Sequence, residues 1–275
     1  MGQIAELLYD GTMITDTQAA AAARLIHEHW QSGHRLAALP GALRPATRAE
    51  VYAIQAHLVP FSAGPVYGWK IAATSIAGQR HIGVDAPLAG RIFAERVHPE
   101  TATIPFAANH MRVAEAEFAF RMAHDLPPRP TPYTVEEALA AVATLHPALE
   151  IPDSRFQDFI TAGAPNLIAD LACAHDFILG RPTTTDWRTI NLATHKVSAA
   201  ISAGPKIDGI GANVLADPRI ALAWLVNELS TLGITLRAGQ VVTTGTCLTP
   251  MPIAPHDTVY ADFGILGAVS ARFGA

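Results

Sequence analysis

Residues 112–120 read Arg-Val-Ala-Glu-Ala-Glu-Phe-Ala-Phe, an alternating pattern that predicts an extended strand. Successive side chains of a strand point to opposite faces, so Glu115 and Glu117 share one face while Phe118 lies on the other. Two neighbouring carboxylates that are buried repel each other and lose hydration unless a proton or a cation compensates. The stretch therefore predicts either a solvated strand face or a site for a divalent cation.

A third carboxylate favours the cation site. Glu150 lies inside an apolar, proline-bounded run, residues 146–152, and a lone buried glutamate is rare unless it is paired or bound to a metal. Carboxylate oxygens suit Mg²⁺ or Mn²⁺ better than zinc. Three of them leave positions on an octahedral ion for water and for the carboxylate and keto oxygens of a 2-oxo acid. We therefore predict that Glu115, Glu117 and Glu150 bind Mg²⁺ or Mn²⁺.

Composition excludes several classes of protein. The chain has 275 residues, of which 50% are hydrophobic and 16% charged, with a net charge of −5. This length suffices for one large domain with a helical cap, and the low charge density is typical of a homo-oligomer. The sequence contains no cluster of Lys and Arg of the kind that binds nucleic acid, and no run of apolar residues approaches the ~18 that a membrane-spanning helix needs. Cys173 and Cys247 are isolated in the sequence, and residues 1–6 show no signal-peptide pattern. We therefore expect both cysteines to be reduced thiols in a cytoplasmic protein.

The N-terminal part of the chain is predicted to be helical. An alanine-rich stretch with helical periodicity covers residues 16–30, and a capping box at Thr47 and Glu50 begins a second helix that continues to Leu58. Proline and glycine interrupt the chain at residues 60–65, and an apolar strand follows from Val66. This predicts an N-terminal helical subregion, residues 1–64, and a catalytic domain, residues 65–275.

Further elements indicate an α+β fold with a β-rich core. A second capping box at Thr134 predicts a helix to about Thr144, and Asp217 followed by proline predicts a helix through Leu232. Residues 83–90 and 204–213 read as glycine-bearing loops. Strands are predicted near residues 171–180, 195–203, 241–243, 258–261 and 268–271.

Four other residues are candidates for chemistry. Lys70 is alone in an apolar strand, so it either pairs with an acid, has a lowered pKa, or extends to solvent. Asp85 either caps a turn or acts in a site. Arg155, next to Ser154 and just after the Glu150 strand, either anchors a substrate carboxylate or pairs with a structural acid. Asp170 ends a short apolar, helix-like run.

Several short motifs occur in a fixed order over about residues 50–275. They are Gly68-Trp69-Lys70-Ile71 with Thr74-Ser75, Gly83-Val84-Asp85-Ala86-Pro87, Glu115-Ala116-Glu117, Pro147-Ala148-Leu149-Glu150 with Ser154-Arg155, Asp170, and a segment from Gly264 to Phe273. This ordered set resembles the 2-keto-4-pentenoate hydratase branch of the fumarylacetoacetate hydrolase family. The resemblance implies a mixed, barrel-like β-roll with flanking helices in a homo-oligomer. It also implies metal-dependent addition of water to a 2-hydroxy-2,4-dienoate in aromatic meta-cleavage degradation, giving a 4-hydroxy-2-oxo acid.

The resemblance assigns roles to individual residues. It places the metal on the three glutamates chosen above, and proton transfer on Lys70, with Asp85 and Asp170 as weaker candidates. Four residues fall at substrate-binding positions: Ser154, Arg155, Leu88 and Thr246. Leu88 stands where family hydratases commonly carry an acid and Leu171 where they carry asparagine, so the pocket is expected to be more apolar.

Alternative reactions use the same residues. A 2-oxo-3-enedioate decarboxylase of the 4-oxalocrotonate type would generate the same enolate by losing CO₂, and Arg155 or Arg80 would then bind the distal carboxylate. Hydrolytic carbon–carbon cleavage is a further version. The replacement of polar pocket residues by Leu88 and Leu171 also leaves open a non-catalytic homologue that binds a 2-oxo acid, because a fold does not fix a reaction.

Overall fold

The computed structural model describes residues 13–202 and 204–275. Residues 1–6 and Ala203, which enter the predictions above, lie outside this part of the chain. Within the described residues there are six α-helices: α1 Asp16–Ser32, α2 Arg48–Leu58, α3 Ile76–His81, α4 Val135–Ala140, α5 Ala164–Ala169 and α6 Pro218–Thr231. The same residues form thirteen strands: β1 Val66–Ala72, β2 Leu88–Phe93, β3 Val97–His98, β4 Thr103–Ile104, β5 Val113–Met122, β6 Val142–Ile151, β7 Asp176–Leu179, β8 Lys196–Ile201, β9 Ile207–Ile210, β10 Val241–Thr246, β11 Met251–Pro252, β12 Thr258–Asp262 and β13 Ala268–Phe273.

The strands form two sheets. The larger is a mixed, eight-stranded sheet in the order β2-β1-β10-β5-β6-β7-β3, with β11 paired to β5, and it curls into a half-barrel. The smaller has five strands in the order β4-β13-β12-β8-β9. The predicted α+β class, with a barrel-like mixed sheet and flanking helices, is confirmed.

Strand β5 is central to the larger sheet and shows the predicted alternation. It pairs antiparallel with β6 on one side and with β10 on the other. One face carries Glu115 and Glu117. The opposite face is fully buried in the main hydrophobic core, where the ring of Phe118 meets that of Phe263 edge-on at 5.1 Å. The long strand therefore separates an apolar core on one side from the acidic residues on the other.

The first two helices cover the apolar face of β1 and β2. Both predicted helix starts carry complete capping boxes, and α1 ends at a glycine with positive φ, as expected. Tyr52 of α2 packs against Trp69 with ring centroids 6.4 Å apart. The side-chain amide of Gln55 donates hydrogen bonds to the carbonyl oxygens of Ala89 and Ile168, at 2.9 and 2.6 Å. Helix α2 is thereby tied to both β2 and α5.

Four local predictions were wrong in their extent. Helix α4 ends at Ala140, because Val142 and the following residues pair with β5 and tertiary pairing overrides the helical signal. The predicted loop 204–213 contains β9, which pairs with β8. Strand β2 begins at Leu88, inside the predicted loop 83–90. In 171–180 the strand begins only at Asp176, since residues 171–173 adopt positive φ angles.

No helix in the described part of the chain is long and apolar enough to cross a membrane.

Replacing Phe118 with alanine is expected to lower the free energy of unfolding by about 3–5 kcal/mol, because it leaves a cavity in a core that cannot collapse fully. Urea denaturation followed by circular dichroism would measure the change. Tyr260, which is 52% exposed, provides the control, and Tyr260→Ala should change the unfolding free energy by less than about 0.5 kcal/mol. Equal effects of the two variants would contradict the assignment of Phe118 to the core.

Candidate active site

Three carboxylates meet where β5 and β6 pair. Glu115 lies directly opposite Glu150 in the antiparallel register, and Glu117 follows on the same face of β5. One carboxylate oxygen from each of the three lies within 4.8 Å of the others. Glu117 and Glu150 are 0% and 2% exposed, while Glu115 is half-buried. The structure therefore brings the three predicted metal ligands together. A solvated strand face, the other interpretation of the sequence, would leave Glu117 exposed to water, whereas Glu117 is buried.

Strand β10 fixes the orientation of Glu117. Its Oε2 accepts hydrogen bonds from the hydroxyl of Thr243 and from the backbone N–H of Gly245, the latter at 2.8 Å. Gly245 has φ +98°, and a Cβ at this position would lie 2.1 Å from the hydroxyl oxygen of Thr74. Only glycine fits this approach. The sequence prediction missed Thr243 and Gly245 as site residues; the available signal was the run of threonine and glycine at 243–246, which directly follows two valines.

Three other carboxylate oxygens of the cluster accept no hydrogen bond, although one of them, Glu150 Oε2, lies 3.2 Å from the ammonium nitrogen of Lys70. Glu117 Oε1 and both side-chain oxygens of Glu150 are buried and accept no hydrogen bond. A buried carboxylate oxygen without a partner is costly, whereas a hard divalent cation prefers such oxygens as ligands. The donor set and its unsatisfied atoms fit a divalent cation.

Burial makes these carboxylates hold protons more tightly than usual. Burial, reinforced by the neighbouring Glu115, raises the pKa of Glu117 to about 7, although Lys70 and Thr243 act in the opposite direction. Burial also raises the pKa of Glu150 well above its ordinary value. The negative charge of the ionised carboxylates is balanced in part by the ammonium group of Lys70, which lies beside Glu150.

Lys70 is the cation of the cluster. Its Nζ lies 3.2 Å from Glu150 Oε2 and donates a hydrogen bond of 3.2 Å to the carbonyl oxygen of Ala172. Burial by itself lowers the pKa of this lysine, but Glu150, Glu115 and Glu117 outweigh burial and hold the pKa above its ordinary value. Of the readings open from the sequence, pairing with an acid is confirmed, and both a lowered pKa and extension to solvent are wrong.

Arg155, Asp170 and Ser154 form a separate buried network. Asp170 accepts hydrogen bonds from the guanidinium and backbone N–H of Arg155 and from the hydroxyl of Ser154. Arg155 also donates to three carbonyl oxygens, those of Asp153, Asp170 and Ala174. The expected anchoring of a substrate carboxylate by Arg155 is therefore replaced by the other alternative, a pair with a structural acid. Asp170 and Ser154 are engaged in that pair as well.

The other predicted site residues are scattered. Asp85 is exposed in the turn before β2 and makes no hydrogen bond or ion pair with the described residues. Leu88 and Leu171 are buried, at 1% and 0% exposure. Thr246 lies opposite Glu117 in the β10–β5 register, and its hydroxyl donates to the carbonyl oxygen of Leu248 at 2.7 Å. The structure thus brings Lys70 and Thr246 to the carboxylates and leaves Asp85 at the surface.

Comparison with known proteins gives relatives over nearly the whole chain, although no protein-family model matches it. The chain is 31% identical over 263 residues to a 2-keto-4-pentenoate hydratase of Paraburkholderia xenovorans, covering 94% of this chain and 96% of the relative. It is 29% identical over 253 residues to a 2-hydroxyhexa-2,4-dienoate hydratase of Comamonas testosteroni, covering 90% and 94%. Among solved structures, 4-oxalocrotonate decarboxylase from Pseudomonas putida G7, complexed with magnesium and adipate, superposes with a TM-score of 0.86. That pair is 26% identical over 96% of this chain and 100% of the other.

A curled mixed sheet that carries three clustered carboxylates defines an enzyme of the fumarylacetoacetate hydrolase fold. Within that fold, the chain belongs to the 2-keto-4-pentenoate hydratase family.

Replacing Thr243 with valine is expected to weaken the binding of Mn²⁺ roughly 10- to 100-fold, because residues that orient a metal ligand commonly contribute this much to affinity. Titration followed by electron paramagnetic resonance of free Mn²⁺ would measure it. Thr244 is a matched control on the opposite face of β10, since its hydroxyl donates to the carbonyl oxygen of Phe118. Thr244→Val should lower stability while leaving Mn²⁺ affinity within about twofold. Unchanged affinity in Thr243→Val would refute the role of Thr243.

Proposed function

We propose that the protein is a metal-dependent hydro-lyase that adds water to a small 2-hydroxy-2,4-dienoate and releases a 4-hydroxy-2-oxo acid. The observation that carries this proposal is the cluster of three carboxylates, with buried oxygens that accept no hydrogen bond, beside the buried ammonium group of Lys70. The two hydratase relatives, which align over at least 90% of the chain, support the choice of reaction.

Glu115, Glu117 and Glu150 would hold Mg²⁺ or Mn²⁺. When bound, the ion would supply Lewis acidity that stabilises negative charge on the C2 oxygen of the substrate. Thr243 and Gly245 hold Glu117 so that only one of its oxygens remains available. The related decarboxylase was solved in complex with magnesium, which supports binding of a divalent ion by this chain.

Lys70 is the group we assign to proton transfer. Hydration of the dienol requires its hydroxyl proton to leave, a proton to reach the far carbon of the diene, and water then to add to the conjugated ketone. The neighbouring carboxylates hold the pKa of Lys70 above its ordinary value, so Lys70 is protonated at neutral pH and cannot accept the hydroxyl proton. We assign Lys70 as the proton donor to the far carbon, while the hydroxyl proton leaves to water, from which the lysine regains its proton. Its ammonium group also places positive charge next to the site where negative charge develops on the substrate.

The decarboxylase is the second candidate, because the decarboxylase structure superposes with a TM-score of 0.86. Loss of CO₂ from a 2-oxo-3-enedioate calls for a cationic group that binds the distal carboxylate. Of the two arginines considered for that task, Arg155 donates to Asp170 and to three carbonyl oxygens, and Arg80 is exposed on α3. The engagement of Arg155 favours hydration over decarboxylation.

Product-resolved NMR tests the reaction directly. Freshly prepared 2-hydroxypenta-2,4-dienoate with enzyme and Mg²⁺ is expected to give 4-hydroxy-2-oxopentanoate, and a chelator should stop the conversion. In a parallel sample, 2-oxohex-3-enedioate should persist. Metal-dependent release of CO₂ from the second compound, with the dienol left unhydrated, would replace the proposal by the decarboxylase. Binding of either acid without conversion would leave a non-catalytic homologue.

Two substitutions separate the roles of metal ligand and proton-transfer group. Glu150→Gln should lose both divalent-ion binding and turnover, because an amide oxygen carries no charge for the ion. Lys70→Met should keep Mn²⁺ affinity within about tenfold while kcat falls by about 100-fold or more, the contribution typical of a proton-transfer residue. Lys206→Met, at an exposed lysine, is the control and should match wild type. Full turnover in Lys70→Met would remove the lysine from the mechanism.

A further inference from the structure

Residues Leu171, Ala172 and Cys173 form an unusual left-handed turn between α5 and β7. Their φ angles are +56°, +49° and +63°. A left-handed backbone is uncommon for residues with a Cβ, and consecutive examples persist only where surrounding contacts determine them. The turn is fully packed, since Leu171 and Ala172 are at most 1% exposed.

One guanidinium group spans both ends of this turn. Before the turn, Arg155 binds the carboxylate of Asp170 and the carbonyl oxygen of the same residue. After the turn, its Nη1 donates to the carbonyl oxygen of Ala174 at 3.0 Å. Arg155 and Asp170 are both 0% exposed, and the ring of Trp30 from α1 lies 4.4 Å from the guanidinium carbon. The planar fork of arginine suits this multiple contact, whereas a lysine ammonium would not reach both ends.

Strand β2 limits the turn from another side. A Cβ on Gly90 would lie 1.6 Å from the carbonyl oxygen of Leu171, so the backbone of the turn sits directly against the glycine. The carbonyl oxygen of Cys173 accepts a hydrogen bond from the backbone N–H of Asp153 at 3.0 Å. The turn is therefore held by contacts that are independent of the arginine.

The carbonyl group at the middle of the turn contacts the candidate proton-transfer residue. The oxygen of Ala172 accepts from Lys70 Nζ at 3.2 Å, and the same nitrogen lies 3.2 Å from Glu150 Oε2. A lysine side chain is flexible, so its ammonium group needs at least two fixed partners to occupy a defined position. Glu150 provides one of them and the turn provides the other.

We propose that Arg155 and Asp170 are positioning residues, which hold the left-handed turn 171–173 so that the Ala172 carbonyl fixes the Lys70 ammonium group against the carboxylate cluster. The kinetic consequence rests on the proposed hydratase function, whereas the structural consequence does not. The proposal gives the buried ion pair a task in the site, although neither residue touches the carboxylates.

Lysine NMR tests the structural part without relying on activity. The sequence contains three lysines, Lys70, Lys196 and Lys206, and only Lys70 is buried. In protein labelled with ¹⁵N-lysine, Lys70 should give an ammonium signal protected from exchange with water. Arg155→Lys disturbs the turn at its hydrogen bonds to Asp170 and Ala174, and Gly90→Ala disturbs it from β2. Both should shift or broaden the Lys70 signal and leave the signals of Lys196 and Lys206 in place. Arg155→Lys is the deciding variant, because Gly90 also pairs directly with Lys70 in the β1–β2 register. A Lys70 signal that stays unchanged in folded Arg155→Lys would overturn the proposal.

Steady-state kinetics with 2-hydroxypenta-2,4-dienoate tests the functional part. Both variants should lower kcat about tenfold or more while KM and Mn²⁺ affinity change less than about threefold, because the lysine moves and the ligands remain. Gly211→Ala is the control, since its Cβ would lie 1.9 Å from the carbonyl oxygen of Leu192, a similar clash elsewhere. It should lower the melting temperature without changing kcat or the Lys70 signal.

The outcomes distinguish the two proposals. If wild type does not convert the dienoate but the Lys70 signal moves in Arg155→Lys and Gly90→Ala, the hydratase function fails and the positioning role stands. If turnover is present and both variants keep the kcat of wild type, the positioning role fails. Equal loss of kcat and of Mn²⁺ affinity would also overturn it, because that pattern indicates damage to the whole site.

Discussion

The clustering of three carboxylates and one ammonium group on β1, β5 and β6, with β10 between β1 and β5, is the constraint on which the site depends. Glu117 and Glu150 are almost completely buried, and Lys70 offsets only part of their charge. An unbalanced buried charge is tolerated where it serves a task, and here the balance is completed most simply by a divalent cation. The half-exposed Glu115 leaves one side of the cluster open toward solvent.

Each charged group of the site is oriented by a different part of the chain. Thr243 and Gly245 of β10 hold Glu117, while the turn after α5 holds Lys70 through Ala172. The N-terminal helices contribute indirectly, since Trp30 of α1 lies over Arg155 and Gln55 of α2 bonds to the backbone just before Asp170. The division of the chain at residue 64 stays a prediction, but these contacts show that the helices support the catalytic part.

Sequence reasoning succeeded where the information is local. Alternation at 112–120 predicted β5 and its acidic face, and the capping boxes at Thr47 and Thr134 predicted the starts of α2 and α4. It failed where pairing with a distant strand determines the local structure. The predicted helix ends at Ala140, because the residues from Val142 onward form β6 and pair with β5. The orientation of Glu117 by Gly245 depends on strand register. The left-handed turn at Leu171 also escaped prediction, because nothing in that sequence favours positive φ. For Arg155, the sequence allowed either a substrate carboxylate or a structural acid as the partner, and the structure shows that the partner is Asp170.

The turn at 171–173 has a consequence for the behaviour of the half-barrel as a sheet. Strand β2 is its terminal strand, yet all six of its residues are buried. The backbone of Leu171 lies against Gly90, and Gln55 caps the carbonyl oxygen of Ala89. Open strand edges are templates onto which strands of other chains can add, and covering them is how folded proteins resist aggregation. The turn therefore packs on the face of β2 at Gly90, while Gln55 of α2 occupies a carbonyl group of the same terminal strand, so this edge of the sheet is partly shielded from strand addition.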